Sequence, residues 1–369
     1  MARKRKQRVS DDPVSAGKIP PPIRRKDVDV PGWKRGTDAL QRVTSVRTIF
    51  PSFNFGVRVG GLPTRRLHTV HGATHGGKSA FVLGMIKSFL LGGHYAALVD
   101  AERSTPQEFG RELLGDQLDS DRFFGMLPDS YEDTIDGVDE YLDHVAKKRK
   151  QEPGIASLCV VDSLTKLSPK RELANVVKGG GDEVAKGHHG RYRAALNQAW
   201  LDHITPKLDA ANCAMLIVVQ EREQRDDRGE IQYRPKGGTG ILFDSSLLMR
   251  ISKSMPMRDP PNKEGRIIGF AHKVRVYKSK VGHMDGRWTD TFFHLSNGAQ
   301  GPAGFDTARD LVSVGKSLGL IKASGSWLSW GKKRWQGESR AVRALNKSPE
   351  LLASLTDAVS AAIDSGAGR

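Results

Sequence analysis

Residues 70–81 read VHGATHGGKSAF, and the fold turns on this stretch. Gly72, four residues, then Gly77-Lys78-Ser79 match G-x-x-x-x-G-K-[ST], the P-loop. Backbone N–H groups of such a loop wrap a triphosphate, its lysine reaches the outer phosphates and its hydroxyl holds Mg²⁺. The flanks agree. RLHTVHG, an apolar run, leads in, and residues 78–91 (KSAFVLGMIKSFLL) carry a helical apolar face stopped by Gly92 and Gly93. A plain glycine turn between strand and helix would explain neither Lys78 nor Ser79. The candidate nucleotide contacts are Gly72, Ala73, Thr74, His75, Gly76, Gly77, Lys78, Ser79 and Ala80.

Working outward, YAALVDAE, IASLCVVDS and CAMLIVVQE repeat one design, nearly all apolar and then abruptly polar. Such runs suit central parallel strands covered on both faces, with the polar residues at their carboxyl ends, where α/β sheets bind ligands. Asp162 ends one run and is placed to face a metal held by Ser79; alone it would read as a helix cap. Glu102 follows another strand end and is the candidate to activate an attacking water, with Asp100 in support. Gln220 ends the third, where an amide can register whether a γ-phosphate is present. Beyond residue 240, SSLLMRIS, FAHKVRVYKSKV and WTDTFFHLS follow one another without helices, which predicts antiparallel edge strands. The fold class is therefore α/β: a mostly parallel central sheet with antiparallel edge strands, plus a small α+β C-terminal domain. The divisions are a basic N-terminal arm over 1–50, a core over 51–297 and a small domain over 298–369, cut at the glycine-rich SNGAQGPAG. The tryptophans of SGSWLSWGKKRWQG read as that domain's core rather than a stacking platform.

The 369 residues carry 58 Lys and Arg against 42 Asp and Glu, a formal charge of +16, which favours a polyanionic partner. No apolar run is long enough to span a bilayer, and no amphipathic basic helix stands out, so no membrane association is expected. Cys159 and Cys213 sit in apolar runs without metal-ligand spacing and read as reduced core residues, which points to the cytoplasm.

In order and spacing, GGLPTRRLHTVHGATHGGKSA, LVDAE, CVVDSLTKLSPKRE, LIVVQEREQ, PKGGTGILFDSSLLMRI and VRVYKSKVG resemble the RecA recombinase family. DLVSVGKSLGLIKASGSWLSW and QGESRAVRALNKSPEL resemble that family's C-terminal domain, so the likeness runs from about residue 52 to residue 363. It implies a RecA-type P-loop NTPase, of bacteria or phages, that uses ATP and Mg²⁺ to form a helical filament on single-stranded DNA and to pair it with homologous duplex DNA. Loading or mediator proteins are possible partners. It also implies nucleotide held between neighbouring subunits, with catalytic roles for Lys78, Glu102 and Gln220. Gln220 would couple the γ-phosphate to a DNA-binding loop, and Lys278 and Lys280 would reach the neighbour's nucleotide.

Two loops suit DNA by composition as well. KGGGDEVAKGHHGRYR (178–193) is glycine-rich and offers His188, His189, Arg191 and Arg193. EREQRDDRGEIQYRPKGG (221–238) supplies Arg222, Arg225, Arg234 and Lys236 beside Gly237 and Gly238. Its five carboxylates bring its net charge to zero, so ion pairing within the loop competes with binding to phosphate. Departures from the family pattern lie in the short GTDALQRVTSVRTIF, in RSTPQEFG after Glu102, and in the ending DSGAGR, which lacks an acidic tail and points to a less restrained DNA binder. The alternatives are a RecA-fold hexameric motor and a coating protein that uses ATP only as an assembly switch.

Overall fold

A central sheet grows from the apolar runs. In the computed structural model the described residues are 40, 42–163, 166–170, 172, 188–225, 229, 231–235, 239–259, 263–282, 289–298 and 303–366. Most of the expected N-terminal arm, and residues 178–187 of the first candidate DNA loop, lie outside them. Residues 43–369 form one compact unit.

A short antiparallel pair, β1 (Ser45–Val46) and β2 (Leu62–Pro63), flanks α1 (Pro51–Gly56). The principal strands follow: β3 (Arg66–Gly72), β4 (Tyr95–Asp100), β5 (Phe123–Met126), β6 (Ser157–Asp162) and β7 (Cys213–Arg225). Next come β8 (Ile231–Pro235), β9 (Leu247–Asp259), β10 (Arg266–Ser279), β11 (Thr289–Asn297) and β12 (Ala303–Phe305). Across the sheet the order is β12-β11-β10-β9-β3-β7-β6-β4-β5, with β8 added to the far end of β7 as a hairpin. Pairing is parallel from β5 to β9 and antiparallel from β9 to β12, as the two kinds of sequence pattern predict.

Helices cover both faces: α2 (Lys78–Leu91) and α3 (Gln107–Leu114) on one, α4 (Tyr131–Gln151) and α5 (His188–Ala210) on the other. Strand β7 shows why its sequence is continuously apolar. Ala214, Leu216 and Val218 join the core under α2, whereas Cys213, Met215, Ile217 and Val219 join the core under α4 and α5. Helix α4 is well specified at both ends. Ser130 caps it by accepting from the Asp133 N–H, Glu132 and Asp133 sit in its first turn, and Lys148, Arg149 and Lys150 meet the negative end of its dipole. After the two-turn α6 (Thr239–Asp244), the remaining helices α7 (Thr307–Ser317), α8 (Glu338–Lys347) and α9 (Pro349–Asp364) enclose a separate core around Leu311, Leu328, Val342, Leu345 and Val359.

The tryptophan-rich segment forms a three-stranded meander, β13 (Lys322–Ser324), β14 (Trp327–Trp330) and β15 (Lys333–Gln336). Trp330 and Trp335 pack on that small core, while Trp327 is 38% exposed with the Arg334 guanidinium stacked over it at 4.5 Å. The expected boundary at 297/298 falls between β11 and β12, so residues 303–305 still extend the large sheet. Helix α7 is bound to the core by one buried carboxylate. Asp310 Oδ2 accepts from the Ser52 N–H at 3.0 Å, its Oδ1 has no hydrogen-bond partner, and burial pushes its carboxyl up to about 7.

Candidate functional site

The carboxyl ends of β3, β4, β6 and β7 open into a cleft of about 410 Å³. Its floor is the loop between β3 and α2, and the local backbone shows why glycines stand there. Gly77 takes φ 98°, and a Cβ on it would lie 2.3 Å from the His272 ring; a Cβ on Gly72 would lie 2.2 Å from the Ile251 carbonyl oxygen. Gly77 is also the N-cap of α2 and offers no side-chain acceptor, and no acidic residue occupies the first turn. The first N–H groups of α2 are thus left for an anion.

Lys78 donates to the carbonyl oxygens of Gly72 at 2.9 Å and Ala73 at 2.8 Å, so its ammonium lies over the loop it belongs to. Burial lowers its proton affinity, opposed by Asp162, Glu102 and Glu221. Across the cleft, Glu102 Oε1 accepts from the Gln220 amide and from the Ser163 hydroxyl, each at 3.0 Å. These bonds bring two of the residues singled out in the sequence together and add Ser163, which a lone serine after an aspartate could not announce. Asp100 supports Glu102 indirectly: its two carboxylate oxygens accept from the N–H groups of Ser104 and Thr105 and hold the turn that follows. Asp162 is buried, and burial together with Glu102 and Asp100 raises its carboxyl to about 7 against the pull of Lys78.

Two carboxylates, Glu102 and Asp162, line the cleft beside one ammonium, Lys78. Among the described residues no three His, Cys, Asp or Glu are grouped to hold a metal by themselves. Ser79 and Asp162 both line the cleft, and a cation held between them would need further oxygen ligands to complete its shell. The far wall of the cleft is Ser104, Phe109 and Leu295, none of which the sequence singled out.

Other candidates lie elsewhere. Lys278 donates to the carbonyl oxygens of Leu242 and Phe243 at 2.8 and 2.6 Å, and Lys280 to that of Asp244 at 3.3 Å. Both therefore reach the C-terminal end of α6, and neither lines the cleft. Within their own subunit the two ammonium groups therefore answer the free carbonyls and negative dipole end of a helix. Arg193 also turns inward, donating to Glu172 Oε2 at 2.9 Å and to the Ser168 hydroxyl at 2.8 Å. Arg222 and Arg225 are exposed on the outer part of β7. Arg234, on β8, is the backbone register partner of Arg222 on β7. His188, His189 and Arg191 begin α5, but their side chains lie outside what is described, as do Lys236, Gly237 and Gly238 altogether.

A buried network next to the cleft went unread in the sequence. Glu221 follows Gln220 on β7, and its side chain is 4% exposed. Arg250 on β9 grips it through Nε at 3.0 Å and Nη2 at 3.1 Å, and His71 Nδ1 lies 3.2 Å from the same carboxylate. These bonds hold the Glu221 carboxyl down at about 2 against the cost of burial. The signal was available, since an arginine inside the apolar run LLMRIS is a charge in need of a buried partner.

A sequence model of the RecA N-terminal domain matches residues 33–286. Protein RecA of Thermus aquaticus is 29% identical over 299 residues, covering 80% of this chain and 78% of that protein. The RecA proteins of Ruegeria pomeroyi and Acinetobacter baylyi are 25% and 26% identical, covering 89% and 86% of this chain and 86% and 82% of their own lengths. With the family match spanning the P-loop, the strand ends that form the cleft and the strand bearing the paired lysines, the chain belongs to the RecA family.

Proposed function

We propose that this protein is an ATP-hydrolysing recombinase that assembles on single-stranded DNA and pairs it with homologous duplex. The observation that carries the reading is the bridge from Gln220 through Glu102 to Ser163 at the mouth of a P-loop cleft. Binding of the triphosphate draws Lys78 from the Gly72 and Ala73 carbonyls onto phosphate oxygens, exchanging neutral acceptors for charged ones. The N–H groups at the start of α2 hold the same phosphates. Mg²⁺, held by Ser79 and Asp162, would neutralise phosphate charge when bound. The bonds from Gln220 and Ser163 to Glu102 both fall on Oε1. That leaves Oε2 to take a proton from the water that attacks the γ-phosphorus, while ADP departs. Gln220, drawn toward the γ-phosphate, lets go of Glu102, so the state of the nucleotide changes the position of the β7 end. Arg222 and Arg225, exposed just beyond it, are the described cations best placed to meet a phosphate backbone.

The test combines turnover with imaging. Parental protein should hydrolyse ATP faster with single-stranded DNA and form helical filaments with a slowly hydrolysed analogue. Glu102→Gln should keep the filaments and lose turnover by on the order of 10³. Rings in place of filaments would favour a hexameric motor, and filaments without turnover in the parental protein would favour an assembly switch.

A further inference from the structure

The end of β7 is held on both sides. Gln220 pairs with Gly72, the first residue of the P-loop, and its amide reaches Glu102. The next residue, Glu221, sends its carboxylate to Arg250 and His71. Arg250 in turn holds its guanidinium carbon over the Tyr233 ring, 4.0 Å from its centroid, and Tyr233 belongs to β8 of the hairpin. His71 and Arg250 are themselves register partners on β3 and β9. One carboxylate therefore joins the strand that carries the P-loop, the strand beside it and the base of the hairpin.

We propose that Glu221, with Arg250 and His71, is a positioning residue that transmits a ligand-driven shift of Gln220 to the β7–β8 hairpin. The inference rests on the nucleotide reading of the cleft, and it concerns residues that touch no nucleotide. Successive side chains on a strand project to opposite faces. A twist of the strand end that draws Gln220 toward a phosphate therefore swings Glu221 the other way. A nearly buried carboxylate gripped by two donors of one guanidinium cannot part from it without leaving a buried charge alone, so Arg250 follows. Tyr233 rides on the guanidinium face, and β8 moves with it. A freely pivoting hairpin would need no charge here, and an apolar pair would pack the site at lower desolvation cost.

Amide hydrogen exchange over residues 221–235, with and without ATPγS and Mg²⁺, tests this on the full-length chain. The Glu221→Leu/Arg250→Met double variant removes both charges together, so neither is stranded and the fold is retained. In the parental protein the analogue is expected to change hairpin exchange by about tenfold. In the double variant the analogue should bind with unchanged Kd and leave hairpin exchange as it was. Should the double variant fold poorly, Arg250→Lys keeps the charge but gives up the two-pronged grip, and most of the response should vanish. A parental-sized response in either variant overturns the proposal, as does a parental hairpin indifferent to bound analogue. A parental chain that binds no analogue overturns the cleft reading, and this inference with it.

Discussion

Within the cleft, charge does not balance. Glu102 and Asp162 line it with one ammonium, Lys78, and burial, with Glu102 and Asp100 nearby, raises the Asp162 carboxyl to about 7. Away from the cleft lining, four cations have an anion or a carbonyl close by. Arg193 closes on Glu172, Arg250 on Glu221, and Lys278 and Lys280 on the end of α6. The contrast separates two kinds of polar residue. On the proposed reading, those in the cleft answer to a bound nucleotide and its cation. The outer ones are satisfied already, so any role toward a partner means exchanging one set of bonds for another.

The paired lysines offer the hardest test of that distinction. If α6 is their whole purpose, Lys278→Ala with Lys280→Ala costs about 1 kcal/mol of stability through the helix end and leaves turnover alone. If they also serve a neighbouring subunit's phosphates, the double variant binds ATP but loses DNA-stimulated turnover by on the order of 10³. Mixing it with Lys78→Ala protein, which lacks the P-loop ammonium, should then restore part of the rate at matched total protein. No recovery in the mixture, with full activity in the double-lysine variant alone, would assign these lysines to their own subunit.

A smaller effect distinguishes the arginines. Arg222→Ala with Arg225→Ala should weaken binding to every single strand alike, by about tenfold, and flatten the salt dependence by roughly 0.7 for each phosphate no longer neutralised. Arg193→Ala should behave differently. It takes a charged donor from Glu172, which is 7% exposed, and should therefore lower stability by about 1–3 kcal/mol while leaving the salt slope unchanged. Fluorescence titration across salt concentrations, paired with thermal unfolding, reads both. A reduced slope in the Arg193 variant would return that residue to the DNA surface.

Much of this arrangement could be read from residues alone, and the physical reason is local. Strands such as SLCVVD are buried on both faces, so their sequences are apolar throughout, and the first polar residue marks the edge where ligands bind. Asp162, Glu102 and Gln220 were placed by that rule, and the P-loop by its spacing. Pairings between distant segments left no such trace. Arg193 meets Glu172 across 21 residues and Glu221 meets His71 across 150, distances over which no periodicity speaks. Helix α6, at six residues, is too short to show a helical period, so the partner of Lys278 and Lys280 stayed hidden. The meander strands of three or four residues hid among tryptophans for the same reason.

The least effect is expected at Asp310, which turns the contrast into a question of pH. Like Asp162 it is a buried acid raised to about 7, but the neighbouring charge that adds to burial is only Asp306, and the Ser52 N–H is its bonded partner. Its carboxyl binds a proton more tightly in the folded chain than in the unfolded one, where it titrates near its ordinary value of 3.8. Between those two values the folded state holds a proton that the unfolded state has lost. Stability from this residue is therefore fully present at about pH 4 and declines as pH rises toward 7, flattening above that. The shift corresponds to at most a few kcal/mol, at roughly 1.4 kcal/mol per pKa unit. Asp310→Asn keeps an oxygen for the Ser52 N–H and removes the charge. It should raise the unfolding midpoint by about 2–6 °C at pH 8 and by little or nothing at pH 4.5. Thermal unfolding of both proteins at the two pH values decides it: an equal gain at each would show that shape, not charge, limits the junction between α1 and α7.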